Sequence, residues 1–146
     1  METIKRRKAL LIDDDQIVLD SVRRILTEEK FEVETTLSSG KGIELALGND
    51  YDIVLTDVRM PDIDGFTVVY TIKEAKPNIP LLVITGYASV RSAVEAMKLG
   101  ATDYVQNPFT PDALVTKVTS AIDTATSGQH GGRKVKERII TGGSSA

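Results

Sequence analysis

Five times along the chain a short apolar run gives way to a stretch whose apolar residues recur at helical spacing, and this alternation limits the fold more than any other feature. The runs cover 9–12, 31–35, 52–56, 79–84 and 103–106. The runs at 9–12, 52–56 and 79–84 are near-continuous and rich in branched residues, as strands buried on both faces require. The run 31–35 instead alternates Phe31, Val33 and Thr35 with Glu32 and Glu34, which suits an outer strand with one face partly wet. The stretches between them carry helical stripes. From Gln16 to Lys30 the stripe is Val18, Val22, Ile25 and Leu26, with Asp15 as N-cap. Ser39 opens a second helix with Ile43, Ala46 and Leu47 inward, closed near Gly48 and Asn49. A third runs from Gly65 to Ala75 with Phe66, Val69 and Ile72 toward the core. Ser89 caps a fourth, in which Val90, Ala93, Val94 and Met97 repeat inward up to Gly100. The fifth begins at Thr110 and Pro111 and turns Leu114, Val118, Ala121 and Ile122 inward.

Each crossover must carry the chain back before the next strand can start, so strict alternation means a parallel sheet with helices on both faces. The expected class is α/β, doubly wound, with five strands. Ligands of such sheets bind beyond the carboxyl ends of the strands, beside the point where strand order reverses. That edge collects Asp13 and Asp14 after the first strand, Asp57 after the third, Thr85 after the fourth and Asn107 after the fifth.

Composition narrows the chemistry available there. The 146 residues, 41% hydrophobic and 27% charged, suit one soluble domain with a single sizeable core, over 8–124. Residues 1–7 read as a basic lead-in and 125–146 as a flexible tail or linker rich in Gly, Ser and charge. No cysteine is present, which excludes disulfides, thiolate metal sites and cysteine nucleophiles. The single histidine, His130, lies in the tail and argues against a zinc site or a catalytic triad. A formal net charge of −3 makes no case for nucleic-acid binding by the domain. Arg133, Lys134, Lys136 and Arg138 in the tail fit a solvated linker better than a nucleic-acid contact. No apolar run is long enough to span a bilayer, and METIKRRK leads into a strand, so a cytoplasmic setting is expected.

Asp57 ends a buried apolar run and is followed by loop residues Arg59 to Gly65. A carboxylate there is costly unless a cation or hydrogen-bond donors await it, although capping a turn or helix is a plainer role for an Asp. Three carboxylates at one edge stay ionised together only if a cation neutralises them. Ligands that are all oxygen point to a hard ion, and Mg²⁺ suits a site with few carboxylates and room for water and phosphate oxygens. A divalent ion beside an Asp supplies what a phosphoryl group needs to move onto it, with Asp57 as nucleophile. Thr85, beside the slim Gly86, can donate to a phosphoryl oxygen, or it can be an ordinary strand-end residue.

These features together resemble the receiver (response regulator) domain of two-component signalling, over residues 8 to 124. The matching parts are the acidic pair Asp13 and Asp14, the loop DVRMPDIDG around Asp57, ITG at Thr85, Tyr104 on the fifth strand, and Pro108 with Phe109. The stretch TGYASVRSAVEAMKLGATDY is most similar to receivers of enhancer-dependent (sigma-54) transcriptional activators. The resemblance implies a flavodoxin-like strand order 2-1-3-4-5 and a signalling domain, not an enzyme, that takes a phosphoryl group from a sensor histidine kinase onto Asp57. It implies Mg²⁺ held by Asp13, Asp57 and the backbone carbonyl of Arg59, with Asp14 assisting through water. Thr85 and Tyr104 are then the switch, and the surface of the fourth helix, fifth strand and fifth helix is the output toward an output domain, a downstream protein or a second copy. Arg59 and Tyr87, two positions after Asp57 and Thr85, are expected to border the path of an attacking water and set the phosphoryl lifetime.

One position departs from that pattern. The family has Lys before the Pro-Phe pair, whereas residue 107 is Asn, neutral and shorter. The acidic cluster is therefore expected to lack a protein cation, to depend more on Mg²⁺ and to couple phosphorylation to output less strongly. The Asn107–Pro108 bond is expected to be cis, turning the side chain back toward the acidic edge. Two alternatives stand beside this reading. A degenerate receiver would act by phosphate-independent protein binding, supported only by Asn107. An Asp-nucleophile phosphatase would need Asp-x-Asp-x-Thr after the first strand, and Ile17 stands where the Thr belongs.

Overall fold

The near-continuous runs at 9–12, 52–56 and 79–84 form the central strands, because a parallel sheet buried on both faces takes branched side chains on successive residues. A computed structural model describes residues 6–59, 63–86 and 90–138, the side chains of 90 and 126–138 excepted. The elements in order are β1 (Lys8–Ile12), α1 (Gln16–Glu28), β2 (Glu32–Thr36), α2 (Ser39–Gly48), β3 (Ile53–Asp57), α3 (Gly65–Ala75), β4 (Leu81–Thr85), α4 (Val90–Lys98), β5 (Asp103–Gln106) and α5 (Pro111–Arg138). All neighbouring strands are parallel, in the expected order β2-β1-β3-β4-β5. Strand order reverses between β1 and β3, and Ile12 pairs with Thr56, so the residues after these partners, Asp13 and Asp57, sit side by side at the switch point.

The sheet divides the core into two layers, where the composition alone suggested one. Leu11, Leu55 and Leu82 pack with α1 and α5 on one face, while Leu10, Val54 and Leu81 pack with α2, α3 and α4 on the other. The period of two along each strand makes this division. Burying each of these leucines contributes roughly 1.5–3 kcal/mol. The stripes of α1 and α5 are buried as the spacing predicts.

Helix ends follow capping chemistry. Asp15 caps α1 through Ile17 N–H, and Ser38 caps α2 through Lys41 N–H. α1 stops at Glu28, two residues before the sequence expectation, because Lys30 takes a positive φ of 71°. Its N–H bonds Thr27 O and that of Phe31 bonds Leu26 O, both at 3.0 Å, which closes the helix as a Schellman motif. α4 ends in the same motif with Gly100 at φ 114°, where a side chain would also press on Lys73 of α3.

Four expectations are corrected. In α2, Leu47 is exposed and Ile43 only half-buried; the inward line is Ser39, Gly42 and Ala46. The helix lies so close to β1 that a Cβ on Gly42 would overlap the Ile12 side chain, so small residues define the contact. In α4 the stripe does not face the core: Val94 and Met97 are 45% and 42% exposed, Ala93 is half-buried, and Ala96 is the buried residue. This helix covers the sheet near its β5 edge, where one small residue suffices. α5 continues as helix to Arg138, beyond the point at which the tail was read to begin. No proline interrupts it after Pro111, and each Gly costs only about 1 kcal/mol. In α3, Val68 joins Val69 and Ile72 in the core, while Phe66 is half-buried. The cap at Ser89 lies outside the described residues. Among the described residues no helix is long and apolar enough to cross a membrane.

Candidate functional site

The site grows from the ends of β1 and β3. Asp13 follows the last residue of β1, its N–H still bonded to Thr36 O at 3.2 Å, and it is 5% exposed. Its Oδ1 accepts from Asp15 N–H at 2.9 Å, which fixes the carboxylate while Asp15 turns away to cap α1. Asp14 is exposed beside it. Asp57 is the last residue of β3, half-buried, and its Oδ1 accepts from Arg59 N–H at 3.3 Å. Carboxylate oxygens of Asp13, Asp14 and Asp57 lie within 4.8 Å of one another.

The loop after β3 is anchored at its far end. Ser39, fully buried at the start of α2, donates to Ile63 O at 2.7 Å. Asp64 caps α3 through Phe66 and Thr67 N–H. Gly65 then passes so near β3 that a Cβ would overlap the Asp57 carbonyl and Val58 Cα. Close backbone approach is what requires a glycine at this position. Met60, Pro61 and Asp62 are outside the described residues.

A cleft of about 270 Å³ opens above the cluster, walled by Asp13, Asp14, Asp57, Arg59, Ile84, Gly86 and Asn107. Four strand tips thus meet as the topology predicts. Thr85 ends β4 and is 3% exposed, so Ile84 and Gly86 form the β4 side of the cleft wall. Asn107 is half-buried, donates its N–H to Thr85 O at 2.9 Å, and precedes a cis bond to Pro108, as expected. Tyr104 is half-buried on β5, beyond the cleft. Tyr87 lies outside the described residues.

Electrostatics make the cleft receptive to a cation. Burial, only partly offset by the Asp15 N–H and reinforced by Asp57, Asp14 and Asp15, pushes the Asp13 carboxyl up to about 7. Burial likewise raises Asp57, against the N–H groups of Arg59 and Val58; Asp14 adds to the rise and the Arg59 charge opposes it. That last contribution corrects an expectation: Asn107 removes one cation, but Arg59 still favours ionised Asp57. Oxygen donors only, three converging carboxylates and a raised Asp13 fit a hard divalent ion.

Residues 9–119 match the family described as response regulator receiver domain. The cell cycle response regulator CtrA of Brucella ovis is 35% identical over 115 residues, which are 79% of this chain and 50% of that protein. The chain therefore spans about half the length of the curated relatives it matches. A CheY-like response regulator receiver domain protein from Methanospirillum hungatei superposes with a TM-score of 0.80 at 28% identity, covering 84% of this chain and 98% of the other. The beryllofluoride-activated NtrC4 receiver domain dimer superposes with a TM-score of 0.77 at 30% identity, over 81% of this chain and 98% of the other.

Proposed function

This chain belongs to the response regulator receiver family, a family of signalling domains, and from that premise we propose that Asp57 accepts a phosphoryl group from the phosphohistidine of a sensor kinase. An Asp57 carboxylate oxygen attacks phosphorus, the P–N bond breaks as the P–O bond forms, and the histidine nitrogen leaves with the electron pair. The observation that carries this reading is the convergence of Asp13, Asp14 and Asp57 at the switch point of the sheet. Asp13, Asp57 and the Arg59 backbone carbonyl would hold Mg²⁺, with Asp14 assisting through water. When bound, the ion neutralises charge on the equatorial phosphoryl oxygens.

The chain's own residues do the rest. Asp57 is held by the N–H groups that follow it, so its attacking oxygen is oriented before a donor arrives. Gly86 leaves space beside it, and Thr85 donates to a phosphoryl oxygen after moving from its buried position. Tyr104 then reorients, altering the α4-β5-α5 surface that meets an output domain, a downstream protein or a second copy. The similarity to a dimeric activated receiver supports a second copy as one of these partners. Arg59 and Tyr87 set how long the phosphoryl group survives. Asn107, in place of an ammonium, weakens the coupling. The domain works in the cytoplasm, with residues past 125 leading away as a helical linker.

Intact mass after incubation with Mg²⁺ and a small phosphodonor tests the reading. One added phosphate is expected, absent from Asp57→Asn. A full-yield adduct on that variant would place the acceptor elsewhere, and no adduct on either protein would favour a receiver that binds partners without phosphate.

A further inference from the structure

Outside the acidic cleft, three side chains close on one another where α5 passes β5. The Lys117 ammonium donates to Asp103 Oδ2 at 2.9 Å and lies 5.5 Å from the centre of the Tyr104 ring. The other oxygen of that carboxylate accepts from the Tyr104 backbone N–H at 2.8 Å. Asp103 thus fixes both the start of the tyrosine and the cation above its ring. The Lys117 and Asp103 side chains are 41% and 39% exposed, so solvent screens the ion pair and it adds little by itself. Its effect is directional: the carboxylate keeps the ammonium where the negative face of the ring attracts it.

We propose that Lys117 is a positioning residue for Tyr104: pinned by Asp103, its ammonium holds the ring in the half-exposed orientation and biases the domain toward the unphosphorylated state. This rests on the reading of Tyr104 as a residue that reorients on phosphorylation. A ring turned away would leave the ammonium without that face, so the contact exists in one state and not the other. Only such differential contacts shift a two-state equilibrium. The ring also borders Ala93, Val94, Met97 and Lys98 of α4, so releasing it reshapes the exposed apolar groove between α4 and β5. Lys117 on α5 therefore acts on a surface belonging mostly to α4.

A cation over an exposed aromatic ring is of a strength that corresponds to about two- to fivefold in population. The aromatic NMR signals of Tyr104, followed as beryllofluoride is titrated in saturating Mg²⁺, read this directly. Lys117→Met is expected to move the free-protein signals toward the activated position and to lower the half-saturating beryllofluoride concentration about two- to fivefold. Lys117→Arg, which keeps both the carboxylate bond and the cation, restores wild-type behaviour. Asp103→Asn loosens the ammonium from its anchor and repeats the measurement should the Met variant not fold. Thermal unfolding of each variant separates lost stability from shifted equilibrium. Identical titrations for wild type, Lys117→Met and Asp103→Asn would overturn the role of Lys117 while leaving the acceptor reading intact. A wild-type protein whose Tyr104 signals ignore beryllofluoride would overturn that reading and the role of Lys117 with it.

Discussion

Asp13 is the residue in which burial and charge meet most directly. Its carboxyl rises from 3.8 to about 7 on folding, so the folded state holds a proton over a range in which the unfolded chain has lost it. Stability rises with pH where the unfolded state binds more protons and falls where it binds fewer, and here it binds fewer. The contribution of Asp13 is therefore fully present below pH 3.8 and is lost as pH rises through about 7. Melting in a chelator is expected to show the metal-free protein less stable at pH 8 than at pH 5, with Mg²⁺ restoring stability at pH 8. Calorimetric Mg²⁺ affinity should climb about tenfold per pH unit below the Asp13 titration and level off above it, because a bound ion displaces that proton. Asn107→Lys makes a second test. An ammonium at that place adds a charge-assisted contact of roughly 1.5–3 kcal/mol to the phosphorylated state, before screening. Chemical shifts around Tyr104 and α4 should then change more with beryllofluoride and Mg²⁺ in the Lys variant than in the Asn107 protein. Asp13, Asp57 and Asn107 were legible as a site because each directly follows or ends an apolar run. The reach of the Arg59 charge to Asp57 was not, since a loop residue's side chain has no periodicity to reveal its direction.

Among the elements, helix starts were easier to read than helix faces. The Asp15 cap and the Pro111 start are local chemistry and lie where the residues demand. The stop of α1 was misplaced because a lysine, not a glycine, occupies the left-handed position at residue 30. A side chain with a Cβ in that conformation costs about 1–2 kcal/mol, so Lys30→Gly should raise stability by roughly 1 kcal/mol once the added freedom of the unfolded chain is discounted. Chemical denaturation would show it as a higher midpoint with an unchanged slope. The α4 stripe teaches the complementary lesson: spacing identifies residues that share a face, and Ala93, Val94 and Met97 do share one. It does not say whether that face meets the sheet. Here it borders Tyr104 and solvent instead.

At the scale of the molecule, both core layers are complete within the receiver region. Ile122 is the last buried hydrophobic side chain among the described residues, and α5 continues as helix to Arg138. A chain cut after 125 should keep the fold, with a melting temperature changed by less than about 5 °C in a thermal melt. A larger loss would mean that the helix beyond 125 packs on the domain. Strand content, helix positions and the polar edge formed by Asp13, Asp57, Thr85 and Asn107 were determined by the sequence alone, because periods of 2 and 3.6 are local and parallel strands bring all their carboxyl ends to one edge whatever their order. Several other features were decided only by tertiary structure. They are the approach of α2 to Ile12 through Gly42, the contact of Gly65 with the Asp57 backbone, the outward face of α4 and the placement of Lys117 over Tyr104. Each depends on a distance between surfaces brought together by packing, and no pattern within either segment encodes that distance.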